Sequence, residues 1–542
     1  MLTVHPSRKR PQGRVKTESD KTPSARTKTY PPPTAGLVTS APLAVPANGS
    51  AIVMENFWPT TTGIGPRGGS KLRCMIAGGV KALFQYRAGF NRTYFAADDT
   101  NVYEFDDVVL DGATLDPVIT GQTGANYSTL EMQTDGGSFL TIVNGRDFAQ
   151  IYDGTGWQQV TDVSTPFAIT GIATDRLSDI WSYQNRTFFI ERGTMNAWYL
   201  GVNSVAGPAT KLPLAGVFNH GGSLLFGATW SSDSGSSMDD RCVFATDQGE
   251  FAVFSGANPG DADDWHLDGV YEIGEPLGKH CVMRVGGDLI IATKAGLIPI
   301  SAATRKDPSE LKLSSLATNI SRTWEREITL AGTSTDWQMA KWPSKNAAYI
   351  APPQHISDGG YCYAVNLETG AWTKYTGWSI DAIGVLGDEL YFGDSAGKIY
   401  RGEIGGTDDG DLFVCRACLA FDDFDAPGHL KTAHAVRGAW KYRFPINPQH
   451  SVAVNYRSAF PVEPDVAPVT ETGVGVWGVS EWDEAFWAEG ASDVNYRKSW
   501  GSVGAHGEVI AVQIQLTSGS VYKLDCELVS VDLVYSIGSA TP

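Results

Sequence analysis

Residues 387–403 read GDELYFGDSAGKIYRGE. Leu390-Tyr391-Phe392 is a short apolar run, Gly393-Asp394-Ser395-Ala396-Gly397 is turn chemistry, and Lys398-Ile399-Tyr400-Arg401 alternates polar with apolar. That pattern predicts a β-hairpin in which Gly397 supplies the positive φ its turn needs. Asp388, Glu389 and Asp394 read as turn and rim groups.

Variants of the phrase recur along the chain. Thr93–Ala97 turns at 98–101 into Val102–Phe105, and Phe139–Val143 leads through Asn144-Gly145 to Ala149–Tyr152 and Trp157. The runs 187–190 and 197–200, 242–245 and 251–254, 289–292 and 297–300, and 348–350 and 361–365 repeat it. Successive starts lie roughly 40 to 60 residues apart, the period of a four-stranded propeller blade. The expected fold is all-β: a six- or seven-bladed β-propeller over 51–405, its ring closed by 387–403 against strands within 51–75. Near-helical spacing of Leu316, Ile320, Trp324 and Ile328 marks a helical insertion near 302–330. Long alternating runs at 452–456, 509–516 and 528–535 predict a second all-β module over 406–542, a sandwich or half-barrel.

Sixty Gly, 28 Pro and 58 aromatic residues among 542 suit many short strands joined by tight turns. The net charge of −18 is uneven. Residues 1–50 carry +6 and the remainder −24, a balance that argues against a body that grips DNA or RNA. The 1–50 segment is basic (Arg8, Lys9, Arg10, Arg14 and Lys16 among others) and Pro-rich, without apolar periodicity. It is expected to be an extended arm, either a loose tail or one that drapes over a neighbouring subunit through Leu37-Val38 and Leu43–Val45. The seven Cys read as reduced core residues, and the sequence shows neither an apolar leader nor an 18-residue apolar run. Synthesis in a cytoplasm, without membrane insertion, is the expectation.

No catalytic, cofactor-binding or metal-ligating set is compelling. Ser231-Ser232-Asp233-Ser234-Gly235 imitates half of a glycosidase Asp box but lacks its Thr and Trp. Cys415 and Cys418 with His429 and His434 have loose zinc spacing, yet the cysteines sit in an alternating strand. Asp261-Ala262-Asp263-Asp264 and Asp408-Asp409-Gly410-Asp411 read as solvated turns ahead of calcium loops. The Trp-rich phrase 476–487 presents Trp477, Trp482 and Trp487, with Trp500 following. These rings are candidate subunit-interface anchors, the alternative being a platform for sugars.

Several phrases together resemble a phage family. They are Asn56-Phe57-Trp58-Pro59-Thr60-Thr61-Thr62-Gly63 with Arg67-Gly68-Gly69-Ser70, the stretches Phe139–Trp157, Asn185–Leu200 and Leu390–Tyr400, and the Trp-rich phrase. Their order is similar to that of the tail nozzle (hub) proteins of short-tailed phages. The resemblance implies a structural virion component of the tail, made in the host bacterium, and no enzyme. It implies a homo-oligomer, a hexameric ring below portal and adaptor, with fibres or tailspikes on its sides and genomic DNA leaving through the lumen without specific binding. The basic arm departs from that pattern. A receptor- or glycan-binding tail protein and a propeller glycosidase are the competing expectations.

Overall fold

In the computed structural model, which describes residues 25–41, 49–106, 111–231, 240–353, 359–443, 445–466, 495–497, 499–519 and 523–540, residues 387–403 take part in two consecutive hairpins. Gly387 and Asp388, with φ of +59° and +70°, make the two-residue turn between Ala382–Leu386 and Glu389–Gly393. Such a turn matches the right-handed twist of the strands it joins. Gly397 has φ +84°, and a Cβ there would lie 2.4 Å from the Ile76 carbonyl oxygen. Glycine is needed twice over, for conformation and for the approach of another segment.

That segment continues the strand Ser70–Met75. The strand pairs antiparallel with Lys398–Gly402, so the first propeller strand in sequence completes the last blade. Among the described residues the ring has seven blades: 82–120, 128–159, 177–213, 224–272, 282–299, 338–376, and 382–402 with Ser70–Met75. The recurring apolar runs are their second and third strands, and the second strands of blades three, four and five are buried at every position but the first. Blade five has three strands. A helical segment stands where a fourth would lie: Leu316 N–H donates to Leu297 O and Trp324 Nε1 to Thr293 O, each at 3.0 Å. The helix Ser321–Ala331 buries Trp324 and Glu327, and the Glu327 carboxylate accepts from the Tyr361 and Tyr363 hydroxyls of blade six at 2.6 and 2.8 Å.

The second module is a sandwich, and it is not a separate bead. Blade six continues through Gly36–Leu37, Ser50–Glu55, Val414–Leu419, Ile510–Thr517 and Gln449–Val454 as one nine-stranded sheet. A second sheet, centred on the long strands His429–Tyr442 and Cys526–Ala540, covers the sandwich end of the first. Met54, Trp440, Ile510, Ile514 and Leu533 meet in the core between them.

Two expected boundaries move. Residues 50–66 belong to the sandwich, so the propeller starts at Ser70. The second half of the arm, residues 26–41, is built into the chain's own body: Arg26–Tyr30 pairs with Cys526–Ala540, and Leu37 and Val38 are buried there. A β-edge with matching register offers backbone partners to a segment that has no apolar period of its own.

Candidate functional site

The seven innermost strands surround one polar channel. A cavity of about 300 Å³ is lined from each of the blades, by Leu83, Ser128, Asp179, Gly227, Lys279, Met339 and Ala382 among others. A wider cavity of about 600 Å³ shares Lys81, Lys279, His280 and Gln338 with it and adds Asp99, Asp336 and Asp381. Lys279, at the entry to blade five, is buried, and it braces the channel. Its Nζ donates to Asn126 O at 2.6 Å and to Ser178 O at 2.8 Å, carbonyls at blades two and three. Asp179 accepts from Ser128 Oγ at 2.6 Å and from the Gly227 N–H at 2.9 Å, tying blades two, three and four. His280 Nε2 lies 3.0 Å from Asn126 Oδ1.

Burial dominates the electrostatics of this cluster. It pushes the Asp179 carboxyl up and Lys279 down to about 8, and in both cases the attraction between the two groups works against it without winning. His280 is driven down to about 3 by burial first and by the Lys279 charge second. In the folded state Lys279 sheds its proton as pH passes about 8, while the unfolded chain holds it up to the ordinary 10.5. Its contribution to stability therefore rises with pH across that window and is flat below it. Lys279→Met is expected to abolish that rise, measured as the difference between wild type and variant in urea unfolding at pH 7.5 to 10. As an arrangement the cluster satisfies a buried ammonium with fixed acceptors, which makes it a brace between blades.

The junction of propeller and sandwich holds a second buried cation. Arg67 is fully buried, and all five of its N–H groups are used. Nε donates to Asn56 Oδ1 at 2.9 Å, Nη1 to Gly68 O at 2.7 Å and Asp408 Oδ1 at 3.0 Å, and Nη2 to Thr376 O at 2.9 Å and Asp408 Oδ2 at 2.6 Å. Its guanidinium carbon lies 3.8 Å from the Phe413 ring centroid and 4.9 Å from that of Trp378. Burial disfavours the charge, but the Asp408 hydrogen bonds and charge outweigh it and hold the pKa above its ordinary value. Asn56, in the left-handed region at φ +57°, also donates to Val414 O at 2.8 Å. Gly69 follows because a Cβ there would lie 1.9 Å from the Thr407 carbonyl oxygen. Asn56 and Arg67-Gly68-Gly69 thus work as a structural lock. Asp408, read from sequence as part of a solvated turn, is its counter-ion: Ser70 Oγ and Trp378 Nε1 donate to it as well.

The other sequence candidates are dispersed. Trp477, Trp482, Trp487, Arg8, Lys9, Arg10, Arg14 and Lys16 lie outside the described residues, as do Ser232–Gly235. Trp500 is 45% exposed and carries the Arg437 guanidinium 4.4 Å from its ring centroid. Cys415 and Cys418 are both buried, in separate apolar clusters. His429 and His434 instead meet Gly538 O and Ser536 Oγ. Asp264 accepts from the Ala257 and Asn258 N–H groups of its own loop. Among the described residues, no group of three or more His, Cys, Asp and Glu side chains is placed to hold a metal ion, and no helix is long and apolar enough to cross a membrane. Neither Lys279 nor Arg67 stands out in the sequence as a site residue, because a lone cation between strand-like runs carries no periodic signal.

No family model and no curated protein matches the sequence. Solved structures that match include BBS1N in complex with ARL6DN, with 10% identity and a TM-score of 0.37 over 62% of this chain and 97% of that one. Raptor of Chaetomium thermophilum matches with 10% identity and a TM-score of 0.38 over 63% of this chain and 28% of that one. Likeness of that degree says nothing about what this chain does.

Proposed function

We propose that the chain is a structural subunit of a short-tailed phage tail, a nozzle or hub protein and not an enzyme. It assembles into a homo-oligomeric ring, a hexamer by resemblance, that meets the adaptor on one side and carries fibres or tailspikes. The observation that carries the reading is the continuous sheet from blade six into the sandwich, clamped by Arg67. Propeller and sandwich are joined through shared strands, which suits a ring subunit, while the buried polar groups act as braces. Lys279 crosses the propeller's own channel, which supports a passage for DNA in the lumen between copies over one through the propeller. A body of net −24 outside residues 1–50 suits a wall that does not hold a polyanion. Mass photometry and negative-stain images of the purified protein, with and without adaptor rings, are expected to show closed rings. A protein that stays monomeric and never joins the adaptor overturns the proposal.

A further inference from the structure

The strand Arg26–Tyr30 is an added edge with a prepared seat. It pairs residue by residue with Cys526–Ala540, Arg26 opposite Tyr535 through Tyr30 opposite Val531. Two buried carboxylates hold it: Asp422 takes Lys28 and, at 3.0 Å, the Tyr30 hydroxyl, and Asp532 takes Thr29 Oγ1 at 2.6 Å. Lys28 also lies 5.3 Å from the Phe424 ring centroid. The seat is specific, yet the strand puts little into the core, because Arg26, Thr27 and Thr29 are exposed and Lys28 and Tyr30 only half-buried. It can leave without opening the sandwich.

The next segment is fixed by packing. A Cβ on Gly36 would lie 2.4 Å from the Trp372 carbonyl oxygen, and Leu37 and Val38 are buried. Between strand and anchor stand Pro31-Pro32-Pro33-Thr34-Ala35. Within one chain this joint must reverse sharply, with Thr34 N–H on Pro32 O at 2.8 Å and Gly36 N–H on Pro33 O at 3.0 Å. Consecutive prolines favour an extended path of about 3.1 Å per residue, so the straightened joint reaches roughly 15 Å. Exchange between copies keeps every contact of the seat and changes only this joint.

We propose that in the assembled ring the strand Arg26–Tyr30 of each copy sits on Cys526–Ala540 of the next, bringing its Lys28, Thr29 and Tyr30 to that copy's Asp422 and Asp532. The inference rests on the ring reading above. Thr27 and Val534 are directly opposed, a spacing a disulfide spans, and the seven native cysteines are all buried. Thr27→Cys and Val534→Cys proteins carrying tags of different size are co-assembled and oxidised. A mixed dimer on a non-reducing gel is expected, and the double variant is expected to give a ladder up to the full ring. Rings seen by mass photometry with cross-links only within single chains overturn the exchange and leave the ring reading standing. Absence of rings overturns both.

Discussion

Replacing Arg67 with alanine is expected to cost about 3–5 kcal/mol of stability, the usual effect of removing one partner from a buried ion pair. The guanidinium is fully buried against Phe413, Trp378 and Tyr375 and bridges Asn56, Gly68, Thr376 and Asp408. Its loss leaves the Asp408 carboxylate without its counter-ion, with the neutral donors Ser70 Oγ and Trp378 Nε1 remaining, and removes one donor each from Asn56 Oδ1 and the Thr376 carbonyl. Arg67→Lys keeps the charge but provides three donors in place of a planar fork of five, so it is expected to rescue only in part. Guanidinium chloride unfolding followed by tryptophan fluorescence measures both. A cost below about 1 kcal/mol for Arg67→Ala, the range of an exposed pair, shows that the junction is held by the continuous sheet alone.

Phe188→Ala is expected to cost a similar amount, about 3–5 kcal/mol, by opening a cavity that its neighbours cannot close. Phe188 is completely buried among Trp181, Tyr199 and Tyr183, with ring centroids 5.4, 5.8 and 6.0 Å away, and Phe244 and Trp265 at 6.4 Å. These rings come from blades three and four, so the near-UV circular dichroism of the variant should weaken as the two blades loosen. Phe90 provides the control. It stands fully exposed at a hairpin tip, and Phe90→Ala is expected to leave the unfolding midpoint unchanged.

The two residues differ in how far sequence exposes them. Phe188 lies in the run Thr187-Phe188-Phe189-Ile190, whose apolar character marks a buried strand without any knowledge of its neighbours. Arg67 lies in a Gly-rich loop that reads as turn chemistry. Its partners are 11, 309 and 341 residues away, and nothing local specifies them.

The same division runs through the whole molecule. Alternation, turn glycines and a repeat length are local properties, and side-chain periodicity is set by the backbone, so blades, the helical insertion and a second β-module follow from the chain alone. So does the hairpin at 387–403, because Gly387, Asp388 and Gly397 carry their conformations as residue types. The closure of the ring by this hairpin on a strand within 51–75 is also legible, and tertiary structure narrowed that strand to Ser70–Met75 and decided that residues 50–66 join the sandwich and that blade six runs on into it. It also decided that Asp408 is a counter-ion and Lys279 a brace across the channel. These depend on which edges and charges meet over hundreds of residues. There, many partners are equivalent by propensity, and only the geometry of the complete core distinguishes them.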